Sequence, residues 1–93
     1  MKAVVVDEVS DLREGRKAGT MSFRIRGDGA VGGIAFICPC GCGNESYLFL
    51  DGIGPAWEWN GSKDAATLTP SVFNTGMPCR WHGWLRDGYW VSV

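Results

Sequence analysis

Four cysteines and one histidine fall in two short segments of this 93-residue chain, and no other feature constrains its fold more strongly. The first knuckle, residues 38 to 43, has the sequence CPCGCG and contains three of the cysteines. The second knuckle, residues 79 to 82, has the sequence CRWH and contains the fourth cysteine and the only histidine. Thiolate sulfur and imidazole nitrogen are ligands of tetrahedral zinc, and three cysteines with one histidine close its coordination sphere. We therefore expect one closed metal site that joins the two knuckles.

The second knuckle contributes Cys79 and His82, whose spacing lets one short turn present both ligands. Three pairs remain open in the first knuckle: Cys38 with Cys40, Cys40 with Cys42, or Cys38 with Cys42. The glycines between and after these cysteines permit the left-handed backbone that directs amides toward thiolates. Spacing alone therefore predicts the site but leaves one thiol too many.

Strands are predicted on both sides of the first knuckle. Residues 21 to 26 alternate apolar and polar side chains, the pattern of a strand with one face on the core. Residues 33 to 37 form an apolar run that leads into Cys38, and residues 46 to 50 form another after the knuckle. We expect a hairpin with the cysteines at its tip.

The C-terminal half has its own hairpin signal. Asp87-Gly88 separates two β-rich runs, and this dipeptide favours a type I′ turn. Pro70 interrupts residues 67 to 73, which suggests an edge strand or a bulge there. Residues 7 to 20 lack a helical stripe and are interpreted as a loop with at most one short helical turn. The prediction is a mainly β fold with little helix, a single antiparallel domain over residues 1 to 93 whose hairpins are joined by the metal site.

Composition and charge limit the classes of function. A net charge of −1 makes nucleic acid an unlikely partner. No run approaches the roughly 20 apolar residues that a membrane span needs, and the N-terminus turns acidic too soon for a signal peptide. We therefore expect a cytoplasmic protein without a membrane partner. In a reducing compartment, cysteines persist as thiols or metal ligands rather than as disulfides.

Three motifs together resemble a known family. CPCG in the first knuckle, TLTPS at residues 67 to 71 and CRWHG at residues 79 to 83 are similar to the CPCG, TLxPS and CxWHG motifs of small uncharacterised phage and bacterial domains. The resemblance covers about residues 34 to 92. It implies a metal-binding domain and favours Cys38 and Cys40 over Cys42. The implied zinc ligands are Cys38, Cys40, Cys79 and His82, with Cys42 as the alternative ligand.

The second knuckle is also similar to the second ligand box of Rieske iron–sulfur domains. A Rieske centre requires two histidines on one iron, whereas this chain has one. A [2Fe–2S] electron-transfer module is therefore an alternative to zinc. A small zinc hydrolase is a weaker alternative, because Glu45 does not stand at the deaminase spacing from a cysteine. No catalytic residue is predicted.

Five tryptophans lie in the C-terminal half, and we expect most of them in the core, with Trp57 and Trp81 at the surface. Together these features favour a non-enzymatic zinc-binding module of phage or bacterial origin. Its expected role is interaction with a protein partner that the sequence does not identify.

Overall fold

A computed structural model describes residues 1 to 50, 57 to 73 and 79 to 93. The described part of the chain contains one helix and three small sheets. The helix is α1, Val9–Gly15, and the first sheet contains β1, Val4–Val5; β2, Thr20–Ile25; β3, Val31–Ile37; and β4, Glu45–Phe49, in that order. The second sheet pairs β5, Glu58–Trp59, with β6, Leu68–Thr69. The third sheet contains β7, Val72–Phe73; β8, His82–Arg86; and β9, Tyr89–Ser92.

The first sheet is antiparallel from β2 to β4, and β1 joins β2 in parallel. The β3–β4 hairpin is the one predicted around the first knuckle. The loop predicted over residues 7 to 20 is instead partly helical, since α1 spans Val9–Gly15. Only Leu12 of this helix is buried, where it packs on Ala35 and Ile37 of β3. A single buried side chain leaves no periodic stripe, which explains why the sequence pattern did not predict a helix.

The three sheets share one hydrophobic core, to which β2, β3, β4, β6, β7, β8 and β9 all contribute. Two of its aromatic members, Phe36 and Trp90, have ring centroids 4.9 Å apart. The other buried members are Ala3, Met21, Phe23, Ile34, Cys38, Leu48, Ala66, Leu68, Val72, Trp81 and Leu85. Cys38 therefore connects the core directly to the first knuckle.

The third sheet confirms the predicted C-terminal hairpin. Asp87 and Gly88 both have positive φ, 48° and 78°, as a type I′ turn requires. Pro70 divides the run from 67 to 73 into β6 and β7. The mainly β prediction is confirmed. Residues 51 to 55, whose glycines and proline predict a turn, lie outside the described residues.

The surface position expected for Trp81 is wrong. Its side chain is only 8% exposed, and its indole nitrogen donates a hydrogen bond to Ser92 Oγ at 3.1 Å. Trp57 is half-buried against the core. In the described part of the chain, no helix has the length and apolar character needed to cross a membrane.

Candidate functional site

The first knuckle forms the tip of the β3–β4 hairpin. The backbone amide of Cys38 donates a hydrogen bond to the carbonyl oxygen of Asn44 at 2.9 Å, which closes the loop. Gly41 and Gly43 have φ values of 91° and 81°, a left-handed backbone that side chains disfavour. This conformation turns the chain tightly enough for three cysteines to face one point.

All four cysteines converge at this tip. The Sγ atoms of Cys38, Cys40, Cys42 and Cys79 lie within 4.8 Å of one another. Cys38 Sγ is 3.3 Å from Cys40 Sγ and 3.5 Å from Cys79 Sγ, and Cys42 Sγ is 3.6 Å from Cys79 Sγ. None of the four is in a disulfide. Four sulfur donors at these separations can hold one metal ion.

The surroundings shift the pKa values of two thiols in the first knuckle in opposite directions. Chiefly through the backbone amide of Asn44, the pKa of the Cys42 thiol falls to about 7. The backbone amide of Cys42 in turn donates to Cys40 Sγ at 3.3 Å. Desolvation raises the pKa of Cys40, against the opposing effect of its hydrogen bond with Cys38. Because a metal ligand must be a thiolate, the low pKa of Cys42 favours its participation.

Helix α1 braces the same hairpin from outside. Arg13 forms a two-pronged ion pair with Glu45, with Nε to Oε1 at 2.7 Å and the second nitrogen to Oε2 at 3.0 Å. Arg16, which follows the helix, donates to the carbonyl oxygen of Gly43 at 3.0 Å. The hydrogen bonds from Arg13 hold the pKa of Glu45 below its ordinary value. The carboxylate near the first knuckle is therefore occupied in an ion pair.

The second notable arrangement is a serine next to the only histidine. His82 Nε2 lies 2.9 Å from Ser71 Oγ, and both residues are half-buried. The sheet explains the approach, because Phe73 of β7 is opposite His82 of β8. Ser71 is two residues before Phe73, so its side chain lies on the same face of the sheet. The distance is within the reach that a general base needs.

The backbone of Ser71 and the ring of His82 are held in place by neighbours. The carbonyl oxygen of Ser71 accepts a hydrogen bond from the indole nitrogen of Trp57 at 3.2 Å. The Phe73 ring stacks on the His82 ring with centroids 4.7 Å apart and planes 13° apart, and Trp84 lies on the same face with its ring 6.3 Å from His82. No carboxylate is hydrogen-bonded or ion-paired to His82 in the described part of the chain. The arrangement is a serine–histidine pair.

Of the ligands predicted from the sequence, the structure brings the cysteines together but places His82 outside their cluster. Cys38, Cys40 and Cys79 come together as expected, and Cys42, the alternative ligand, joins them. His82 is not in this cluster, because its Nε2 faces Ser71 instead. Sequence reasoning assigned no role to Ser71. The available signal was its place in TLTPS, eleven residues before the histidine and directly before a strand that could pair with the one carrying His82.

The fold and site define a small β protein that combines a four-cysteine cluster with a serine–histidine pair. Residues 6 to 93 match the family BubE, described as bacterial ubiquitination-like system serine protease, and the chain belongs to this family. No curated protein and no solved structure gave a match. The sequence predicted a small phage or bacterial domain family, and membership of a bacterial family is confirmed.

The family corrects the functional prediction. A non-enzymatic zinc module was the wrong expectation, since the family is that of a serine protease. The same finding overturns the electron-transfer and zinc-hydrolase alternatives. The sequence interpretation considered His82 as a metal ligand and gave Ser71 no role, whereas the two side chains contact each other in the structure. The cysteine cluster remains compatible with metal binding.

Proposed function

We propose that this chain is a serine protease in which Ser71 is the nucleophile and His82 the general base. The observation that carries the proposal is the 2.9 Å separation of Ser71 Oγ and His82 Nε2. A serine hydroxyl is a weak nucleophile unless an adjacent base takes its proton. The BubE family description supports the same chemistry and suggests that the protease works within a bacterial ubiquitination-like system.

In the proposed reaction, the His82 tautomer with its proton on Nδ1 leaves Nε2 free to accept the Ser71 proton. Ser71 Oγ then bonds to the substrate carbonyl carbon, and the protonated His82 gives its proton to the leaving amine as the carbon–nitrogen bond breaks. Water, deprotonated by His82, hydrolyses the resulting ester and restores Ser71. The Phe73 ring, stacked nearly parallel to the His82 ring, holds the imidazole in one orientation during these steps.

We further propose that the four cysteines hold one zinc ion as a structural site. Tetrahedral Zn–S bonds of about 2.3 Å correspond to sulfur separations of about 3.8 Å. Three of the sulfur separations, from 3.3 to 3.6 Å, are close to that value. Four cysteine ligands leave no open position on zinc, so the ion would supply stability and no chemistry at the substrate. Elemental analysis should find about one zinc per chain.

The protein partner expected from the sequence is, in this proposal, the protease substrate. A protease of a ubiquitination-like system would act on an amide bond in a protein of that system. The cytoplasmic location remains a prediction from the sequence. The phage or bacterial origin predicted from the sequence likewise stays a prediction as far as phage is concerned.

A peptidase assay tests the proposal. The purified chain is offered a library of internally quenched peptides, alongside Ser71→Ala and the matched control Ser10→Ala, whose serine is exposed on α1. Ser71→Ala should lower the rate by at least about a thousandfold, since the nucleophile is lost. Ser10→Ala should cleave at the wild-type rate. Equal cleavage by Ser71→Ala and wild type would refute the assignment.

A further inference from the structure

The Ser71–His82 pair lies on one face of the third sheet, and that face is not covered in the described part of the chain. Trp84 of β8 is opposite Val91 of β9, and Arg86 is opposite Tyr89. Paired residues project to the same side of an antiparallel sheet. The outer face is defined by Ser71, Phe73, His82, Trp84, Arg86, Tyr89 and Val91.

The two sides of this sheet differ sharply in exposure. Between the outer-face residues, Val72 and Leu85 are no more than 1% exposed. On the outer face, Phe73, Tyr89 and Val91 are 44%, 49% and 40% exposed. An exposed apolar patch beside a reactive pair is characteristic of a binding surface.

Two arginine side chains, those of Arg80 and Arg86, pack on aromatic rings of this apolar face. The guanidinium of Arg86 lies 4.4 Å from the centroid of the Trp84 ring, and that of Arg80 lies 5.8 Å from the Phe73 ring. Both arginines are exposed. The ion pairs of the described residues are Arg13 with Glu45 and Arg26 with Asp28, so neither Arg80 nor Arg86 has a carboxylate partner there. An arginine ordered against an aromatic ring is prepared for a carboxylate ligand.

We propose that the outer face binds the substrate polypeptide and selects a segment in which apolar side chains at the scissile bond are flanked by Asp or Glu. The apolar side chains would pack on Phe73, Trp84 and Val91, and the carboxylates would pair with Arg80 and Arg86. This inference rests on the proposed function, because it assumes that Ser71 meets the scissile bond. It goes further by specifying the side chains that the substrate carries around the scissile bond.

The sheet sets the spacing of the acidic residue. His82 and Arg86 are four residues apart on β8, which is about 13 Å at about 3.3 Å per residue. An extended substrate lying along β8 covers the same length with about four residues. One carboxylate is therefore expected about four positions from the scissile bond.

Other occupants fit the face less well. A second copy would bring the same unpaired arginines to the contact, where like charges oppose association. Single-stranded nucleic acid also stacks on aromatic rings, but two arginines on a chain of net charge −1 make a small electrostatic footprint. Complementary charge favours an acidic polypeptide.

The test measures binding with the Ser71→Ala protein, so that substrate is held without turnover. The probe is a fluorescein-labelled peptide with a central Phe-Ala pair flanked by Glu and Asp, compared with its Gln and Asn isostere by fluorescence anisotropy. Arg86→Glu and Arg80→Glu, each added to Ser71→Ala, should weaken acidic-peptide binding by about threefold or more. The matched control is Arg24→Glu, an exposed arginine on the first sheet, which should leave binding unchanged.

Several results would overturn the inference. These are equal binding of the acidic peptide and its isostere, no effect of either arginine reversal, tighter binding of oligo-dT than of the peptide, or a dimer in sedimentation that Tyr89→Ser dissociates. Because binding is measured without catalysis, the result is separate from the peptidase assay. If Ser71→Ala still cleaves peptides, the proposed nucleophile fails while the anisotropy data still report on the face.

Discussion

Cys79 and His82 are three residues apart in the second knuckle, yet their side chains belong to two different sites. Cys79 Sγ lies 3.5 Å from Cys38 Sγ in the cysteine cluster, whereas His82 Nε2 lies 2.9 Å from Ser71 Oγ. The short connection means that whatever fixes Cys79 also fixes the start of β8, which carries His82. The cluster can therefore control the geometry of the serine–histidine pair without touching a substrate.

Single substitutions should separate the two roles by metal content. Cys42→Ser should release the metal as readily as Cys79→Ser, because both sulfurs belong to the cluster. His82→Ala should keep about one metal per chain, because its ring faces Ser71. Elemental analysis after gel filtration measures both. A protein that loses its metal on His82→Ala but keeps it on Cys42→Ser would restore the three-cysteine, one-histidine site.

Metal removal should abolish activity indirectly. Chelation would free Cys79 and so loosen the start of β8, since structural zinc binding is coupled to folding. Replacing zinc by cadmium, which also accepts four thiolates, should restore the wild-type rate, because the ion does no chemistry. Peptidase rates and circular dichroism of apo, zinc and cadmium protein provide the measurement. A rate that changes with the metal while the fold does not would mean that the ion acts on the substrate.

Gly83 should tolerate no side chain. A Cβ there would meet the carbonyl oxygen of Val91 and the indole ring of Trp81, and the carbonyl is fixed by the sheet. Gly83→Ala should therefore destabilise the protein by about 1 to 3 kcal/mol and lower activity, because His82 is the adjacent residue. The control is Gly15→Ala at the end of α1, where a Cβ meets nothing within 4 Å. Denaturant unfolding should find that control neutral or stabilised by about 0.5 kcal/mol.

The Arg13–Glu45 ion pair should contribute stability that depends on pH. Arg13 holds the pKa of Glu45 below its ordinary value of 4.5. The contribution is therefore fully present above about pH 4.5 and is lost as pH falls through the lowered pKa. Arg13→Ala should be slightly less stable than wild type at pH 7 and equal to it in strong acid. Arg24→Ala, which has no ion pair in the described residues, should differ little from wild type at either pH.

Local patterns predicted the features that depend on neighbours in sequence. The hairpin bearing the first knuckle and the Asp87-Gly88 turn each follow from a few adjacent residues. The contact between His82 and Ser71 could not be predicted in this way. Ser71 is brought close to His82 by the register of β7 against β8, and no local pattern fixes that register.

The surplus cysteine illustrates the same limit. If His82 is a ligand together with Cys79, spacing allows any two of the three thiols in the first knuckle to complete the site. In the structure His82 Nε2 contacts Ser71, and the three thiols of the first knuckle cluster with Cys79 around one centre. For helix α1, the sequence predicted no more than one short helical turn, because Leu12 is its only buried side chain and leaves no apolar stripe.

The most direct test of the central claim is covalent labelling by a fluorophosphonate, which reacts with activated serines. Peptide mapping by mass spectrometry should find the adduct on Ser71 in the wild type and in Ser10→Ala. It should be absent in Ser71→Ala and form about a hundredfold to ten-thousandfold more slowly in His82→Ala that still holds its metal. An adduct on another residue, or an undiminished labelling rate in metal-bound His82→Ala, would contradict the assignment of Ser71 and His82 as a catalytic pair.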